Sequence, residues 1–184
     1  MAAGHAHPLY LDRRSVVHGL APEVKIVAAV VVTIAVVATP REAFWAFAAY
    51  ALILAAVAAL ARVPAGWLAK RSLIELPFVA LAVLLPFLAA GDEVVVAGVA
   101  VSRDGLYAGW NILAKGTLGV VASLLLAATT TMRDLIGGLD RLRCPQIITQ
   151  IATFMLRYLD VLVDEARRMR VARLSRGGDP RFLW

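Results

Sequence analysis

The stretch AFWAFAAYALILAAVAALA, residues 43–61, carries no charged side chain and lies between Arg41-Glu42 and Arg62. A helix of about 20 apolar residues crosses the roughly 30 Å hydrocarbon core of a bilayer, so this stretch predicts a membrane span. Blocks of similar character predict further spans over 23–39, 73–90 and 106–131. The sequence therefore predicts an all-α integral membrane protein with about four transmembrane helices.

Composition agrees with a membrane location. Hydrophobic residues make up 61% of the 184 residues, whereas soluble domains are closer to half apolar. The net charge of +6 comes from basic residues that flank the apolar blocks, as the positive-inside rule expects, and this argues against a nucleic-acid partner. The single cysteine, Cys144, excludes an intrachain disulfide and is expected to be a small buried residue.

Prolines and glycines mark the expected ends of the elements. Pro22 and Pro40 bound the first span, while Pro77 and Pro86 predict a kinked third span. Two valine-rich runs, 94–96 and 99–101, flank a turn and predict a small hairpin outside the membrane.

The sequence becomes strongly charged from Arg133 onward, which predicts two extramembrane helices over 133–142 and 145–175. The second would be about 45 Å long at 1.5 Å per residue. We expect its apolar stripe to pack on the membrane domain; the stripe comprises Ile147, Ile151, Phe154, Tyr158, Leu162, Ala166 and Met169. The predicted organisation is an N-terminal arm (1–22), a transmembrane bundle (23–132) and a cytoplasmic coupling-helix segment (133–184).

Basic residues in the loops predict the orientation. One side collects most of them (Arg13, Arg14, Lys25, Arg62, Lys70, Arg71 and the C-terminal segment). The other side has only Arg41 and Arg103, so both ends of the chain are expected in the cytoplasm. Residues 1–25 lack the apolar core of a cleavable signal peptide.

Three sets of residues are candidates for function. The segment RRMRVARLSRG, 167–177, ends the long helix, and its arginines suit either a groove on a partner protein or anionic lipid. Lys115 interrupts the fourth span, where it could face Glu75, face the bundle interior or reach the interface. His5 and His7 form a weak metal-binding pair, and His18 is expected to be a capping or interfacial residue.

Motifs for catalysis are missing from the sequence. It contains neither a Walker-A glycine loop nor the metalloprotease or serine-hydrolase signatures, so we expect no catalytic residues and no metal ligands. Two alternatives remain open: a membrane-embedded enzyme acting on lipid or a peptide, and a self-sufficient metal channel that uses His5 and His7.

Five stretches together resemble the transmembrane T component of energy-coupling-factor importers, of the CbiQ type found in cobalt uptake. They are VVHGLAPEVKI (16–26), ELPFVALAVLLPF (75–87), SRDGLYAGWNILAKGTLGV (102–120), LLLAATTTMRDLIGGLDRLRCP (124–145) and FMLRYLDVLVDEARRMRVARLSRG (154–177). The last is the most specific. The resemblance implies long cytoplasmic coupling helices, to which Arg157, Tyr158, Asp164, Glu165 and Arg168 belong.

In that family a short Ala-Arg-Gly-like motif ends the coupling helix and docks on an ATPase. Ser175-Arg176-Gly177 resembles this motif with Ser in place of Ala, and Arg173 lies beside it. The family has a second motif and a further membrane segment, which are expected to be absent from this chain because it ends at Trp184.

The resemblance also implies partners. They are two CbiO-like ATPase subunits that bind ATP and Mg²⁺, and a CbiM-like substrate-binding subunit, with or without a small CbiN-like subunit. This chain would bind no cofactor itself and would lie in the cell's inner membrane. It would couple ATP hydrolysis to the uptake of cobalt or nickel.

Overall fold

The computed structural model of the chain describes residues 9–11, 13, 15–89, 93–96 and 99–177. His5, His7 and Gly178 lie outside the described residues, as do residues 1–8, 12 and 14 of the predicted N-terminal arm.

Four helical segments build the bundle: α1 (Pro22–Ala38), α2 (Phe44–Leu60), α3 with α4 (Ala65–Ser72 and Leu76–Leu88) and α5 (Arg103–Thr129). A single 3-10 turn, Leu73–Glu75, joins α3 to α4. Helix α5 lies at the centre and packs on each of the other three. The largest core cluster combines Val36 of α1, Phe47 and Leu54 of α2, and Leu118 and Leu125 of α5.

The helix ends follow the proline positions. Pro22 is the first residue of α1, where its missing N–H costs nothing, and α1 ends just before Pro40. A 3-10 turn interrupts the third span at Leu73–Glu75, two residues before Pro77, while Pro86 is accommodated inside α4. The interruption therefore lies near the first of the two prolines, and a kink of the helix axis stays a prediction.

Two glycines bring α4 and α5 into close contact. A Cβ on Gly109 would lie 2.5 Å from the carbonyl oxygen of Ala82, and one on Gly105 would lie 2.7 Å from that of Leu85. Small residues four apart let membrane helices approach closely, because there is little hydrophobic drive between helices in lipid. This contact fixes how the third span lies against the fourth.

The predicted hairpin is present between α4 and α5. Strands β1 (Glu93–Val96) and β2 (Val99–Ser102) pair antiparallel, with Val94 opposite Val101. The Ser102 side chain then caps α5 by accepting a hydrogen bond from the Gly105 N–H at 3.3 Å.

Basic residues separate between the two ends of the bundle as predicted. At one end the Arg13 guanidinium donates to the Arg62 carbonyl at 3.0 Å. At the other end Arg41 pairs with Asp104 at 3.4 Å, and the Arg103 guanidinium lies 6.0 Å from the Tyr107 ring centre. These contacts place Arg13 and Arg62 at one end of the bundle and Arg41 and Arg103 at the other.

The chain before α1 folds onto the C-terminal end of α5. Lys25 Nζ donates to the Thr129 carbonyl at 2.9 Å and to the His18 carbonyl at 3.3 Å. The His18 ring bonds to Ser15 Oγ at 2.7 Å and to the Leu11 carbonyl at 3.0 Å. Lys25 therefore satisfies the Thr129 carbonyl at the end of α5, which has no donor within its own helix.

Two helices follow the bundle: α6 (Met132–Arg141) and α7 (Gln146–Ser175). Thr131 caps α6, since its hydroxyl oxygen accepts from the Asp134 N–H at 3.2 Å. Arg143, with φ of 60°, turns the chain between the two helices. Helix α7 begins at Gln146 with Pro145 as its N-cap, one residue later than predicted.

By length and composition alone, three described helical segments could cross a membrane: Ala65–Leu88, Arg103–Thr129 and Gln146–Ser175. This set differs from the four predicted spans. Helices α1 and α2 have 17 residues each, somewhat short of the roughly 20 that a bilayer core requires. Helix α7 qualifies because Arg157 and Asp160 are the only charges among its first 18 residues.

Candidate functional site

The arginine-rich end of α7 is exposed throughout. Ser175 Oγ donates to the Ala172 carbonyl of its own helix at 2.9 Å, so this side chain closes the last turn. Arg176 is the C-cap, and Gly177 follows with φ of 79°, a left-handed conformation that glycine adopts without strain. The chain therefore turns away from the helix axis directly after Arg176.

Arg176 and Arg173 belong to an unshielded basic surface. Within the part of the chain that the structure describes, no acid lies within ion-pair distance of either guanidinium. Arg168 is partly neutralised, because its Nε lies 3.5 Å from Glu165 Oε2 one turn earlier. Arg173 in the last turn of α7 and Arg176 directly after it are therefore both available to a partner.

The predicted packing of the apolar stripe on the membrane domain is wrong for the described structure. Ile151, Phe154 and Tyr158 are 54%, 57% and 64% exposed. Thr149 is the only residue of α7 that is buried. The periodicity correctly predicted a helix with one apolar face, but the bundle offers that face no complementary surface.

A polar face of α7 packs on α6 instead. Arg133 Nη2 lies 2.7 Å from Asp160 Oδ2, and Thr149 Oγ1 donates to Asp140 Oδ1 at 3.2 Å. Arg157 lines the groove of about 800 Å³ between the two helices. These contacts attach the first half of α7 to α6 and leave the second half projecting, with Asp164, Glu165 and Arg168 exposed.

Lys115 serves a structural contact in the described structure. Its Nζ donates to the Val37 carbonyl near the C-terminal end of α1 at 2.7 Å. It therefore does not face Glu75, one of the three placements that the sequence left open. A lysine that satisfies an otherwise unpaired helix-end carbonyl ties α5 to α1.

Glu75 is the polar residue whose burial the sequence did not reveal. It is 6% exposed at the 3-10 turn before α4, and its Oε2 accepts a hydrogen bond from Thr117 Oγ1 at 3.0 Å. Its Oε1 is buried with no hydrogen-bond partner. The available signal was its position as an acid at the edge of an apolar block.

Metal ligands do not gather among the residues that the structure describes, where no three His, Cys, Asp or Glu side chains lie close enough to hold an ion. The pair His5 and His7 lies outside those residues. Cys144 is half-buried after α6, less enclosed than expected.

The bundle, the side-chain contacts at its helix ends and the projecting α7 define an all-α membrane protein, which confirms the predicted fold class. The family model for CbiQ, described as a cobalt transport protein, matches residues 13–183. The chain therefore belongs to the CbiQ family, as its sequence resemblance indicated.

Two curated relatives are similar along most of the chain. The energy-coupling factor transporter transmembrane protein EcfT of Bacillus selenitireducens is 30% identical over 179 residues, covering 91% of this chain and 66% of the relative. The protein of the same name from Thermanaerovibrio acidaminovorans is 27% identical over 180 residues, covering 92% and 66%. The chain thus spans about two thirds of the length of the relatives it matches.

Proposed function

We propose that this chain is the transmembrane coupling subunit of an energy-coupling-factor importer, with Arg176 as its principal contact to an ATPase. The observation that carries the proposal is the exposed arginine-bearing end of α7, which is attached to the bundle through α6. Family membership supports it, because two curated relatives are named as transmembrane proteins of such transporters. Cobalt is the proposed substrate from the family's description, with nickel as the alternative.

The role is mechanical. Two CbiO-like ATPases would bind ATP and Mg²⁺, and their closing and opening would displace α7. A CbiM-like subunit, with or without a CbiN-like one, would hold the metal, and this chain would be neither an enzyme nor a cofactor-binding protein. A ligand-driven change of state needs differential contacts in the two states, which the charged end of α7 can supply.

The proposed topology places α7 and both chain ends in the cytoplasm of a cell whose inner membrane holds the bundle. Five arginines crowd the second half of α7: Arg167, Arg168, Arg170, Arg173 and Arg176. Arginine is costly at the centre of a bilayer, about 2.5–3.5 kcal/mol per residue even on insertion scales. The length of α7 alone would permit a span, but this charge density favours an extramembrane helix.

Charge reversal at Arg176 tests docking. The guanidinium of Arg176 can donate paired hydrogen bonds to acceptors in a groove. In Arg176→Glu a carboxylate takes its place, and the same acceptors would repel it. We expect the tagged chain to lose co-purifying ATPase subunits and ATP-dependent metal uptake in membrane vesicles. Arg170→Glu, on the same exposed helix but outside the motif, is the matched control and should retain both.

Unchanged uptake in Arg176→Glu vesicles would contradict the docking role. Equal losses in the two variants would instead indicate a general electrostatic attraction, for example to anionic lipid. That alternative predicts recovery in vesicles of neutral lipid and a strong dependence on salt concentration.

A further inference from the structure

Helix α6 rests on the first turns of α1 through a close contact at Gly138. A Cβ at this buried glycine would lie 2.8 Å from Ile26 Cδ1, 3.0 Å from Pro22 Cβ and 3.2 Å from the Glu23 backbone nitrogen. A Cβ on the adjacent Gly137 would meet nothing within 4 Å. The absence of a side chain at Gly138 therefore lets the two helices touch, and Gly137 has no such role.

An ion pair reinforces the same contact. Arg141 Nη1 lies 3.2 Å from Glu23 Oε2, and the Glu23 carboxylate is the more shielded of the two groups. Glu23 is in the first turn of α1 and Arg141 in the last turn of α6, so each charge also suits the dipole of its own helix. The C-terminal half of α6 is thus held on α1 by both packing and charge.

The opposite end of α6 is joined to the bundle differently. Thr130 (φ −137°, ψ 128°) and Thr131 (φ −73°, ψ 158°) are extended and separate α5 from α6. Thr131 caps α6 and accepts a hydrogen bond from the Leu135 N–H at 2.9 Å, so the link can bend at Thr130 without breaking the hydrogen bonds of α6. Helix α7 is attached to α6 by the Arg133–Asp160 and Thr149–Asp140 contacts.

We infer that the Gly138 contact transmits the displacement of α7 to α1, with α6 and the first turns of α1 moving as one unit. Gly138 and Arg141 are the positioning residues of this route. Closely packed interfaces pass on displacement because they do not deform continuously, whereas the extended link before α6 can absorb it. The inference rests on the proposed coupling function and specifies where the motion enters the bundle.

A matched pair of valine substitutions tests the route in the complete complex with its ATPase and substrate-binding subunits. Gly138→Val and Gly137→Val carry the same helix propensity, but only the first forces α6 away from α1. For Gly138→Val we expect metal uptake per ATP hydrolysed to fall by roughly two- to thirtyfold, while ATP hydrolysis and subunit assembly persist. Gly137→Val should keep the wild-type ratio, and equal ratios in the two variants would overturn the inference.

A reversible cross-link provides a second test that does not depend on Gly138→Val folding. In a Cys144→Ala background, Glu23→Cys with Arg141→Cys leaves Gly138 unchanged and replaces the two partners of the ion pair, which a bis-maleimide with a reducible disulfide in its linker can join. We expect the cross-linked complex to keep the uptake that the same variant shows before cross-linking, because the joined residues already move together. Loss of uptake on cross-linking that reverses when the linker is reduced would overturn the inference, as would failure of the cysteines to cross-link.

The two tests separate the inference from the proposed function. A wild-type complex without ATP-dependent uptake would overturn the coupling function and the transmission route together. Efficient cross-linking would even then establish the contact between α1 and α6. If the wild type and Gly138→Val take up the same amount of metal per ATP hydrolysed, the transmission route is overturned while the coupling function stands.

Discussion

Replacing Gly109 with alanine should destabilise the bundle, although alanine is the better helix former. The added Cβ would lie 2.5 Å from the Ala82 carbonyl oxygen, whereas ordinary contact begins near 3.4 Å. Helix α4 must therefore move by about 0.9 Å, because the obstructing atom belongs to its backbone and no side chain can rotate away.

The change in the free energy of unfolding of Gly109→Ala is the sum of two opposing contributions. Overpacking a closely fitted site costs about 1–3 kcal/mol, and removing a glycine from a helix interior returns about 0.5–1 kcal/mol. The net loss is about 1 kcal/mol, which lowers the melting temperature of a chain of this size by roughly 2–4 °C. Gly116→Ala on the same helix meets nothing within 4 Å, so it should raise stability by about 0.5–1 kcal/mol.

Thermal unfolding of the purified chain in detergent, followed by tryptophan fluorescence and circular dichroism, measures both variants. We expect Gly109→Ala to lower the melting temperature and Gly116→Ala to raise it. Gly105→Ala should behave like Gly109→Ala, because its Cβ would meet the Leu85 carbonyl oxygen at 2.7 Å. A melting temperature for Gly109→Ala at or above that of the wild type would refute the proposed close approach of α4 and α5.

Two further changes probe partly buried polar contacts by the same unfolding measurement. Thr117→Val removes the only donor that the described residues offer the Glu75 carboxylate, and it should cost about 1–3 kcal/mol. The double variant Thr117→Val with Glu75→Leu should recover most of that loss; no recovery would show that the pair does not interact. Lys25→Met leaves the Thr129 and His18 carbonyls without this donor and should lower the free energy of unfolding by about 1–3 kcal/mol. Lys70→Met, at an exposed lysine, should change the free energy of unfolding little. Equal effects of the two substitutions would exclude a role for Lys25 at the end of α5.

The sequence predicted where the helices lie because its signals are local. Pro22 and Pro40 bound α1, and the charged residues beside 43–61 bound α2. The two helices of the C-terminal segment and the hairpin also fall within a few residues of the predicted positions. Each boundary depends on backbone chemistry that a single residue imposes, such as the missing N–H of proline.

Contacts between helices could not be predicted from such local signals in the sequence. Glu75 borders one apolar block and Lys115 interrupts another, so pairing them was one of the placements that the sequence left open. Glu75 instead accepts from Thr117 of α5, and Lys115 donates to the Val37 carbonyl of α1. Which helices meet is decided by packing across the bundle, which no single residue of the sequence reports. The exposed stripe of α7 has a related cause: periodicity shows that one face is apolar, but what covers that face is decided by other surfaces.

The polar side chains inside the described bundle support a mechanical role more than an ion pathway. Lys25, Lys115 and Thr39 each donate to backbone carbonyls at or near helix ends, and Ser123 donates to the carbonyl four residues earlier in α5. The two lysines are themselves cations and offer a passing cation no lone pair, whereas the hydroxyl oxygens of Thr39 and Ser123 keep acceptor lone pairs. Among the described residues three buried oxygens have no hydrogen-bond partner, namely Glu75 Oε1, Asn111 Oδ1 and Thr130 Oγ1, but no three His, Cys, Asp or Glu side chains gather there to hold a metal ion. Lys25 and Lys115 tie α1 to α5 near both ends of α1, which fits the proposed passage of motion from α7 to the membrane domain.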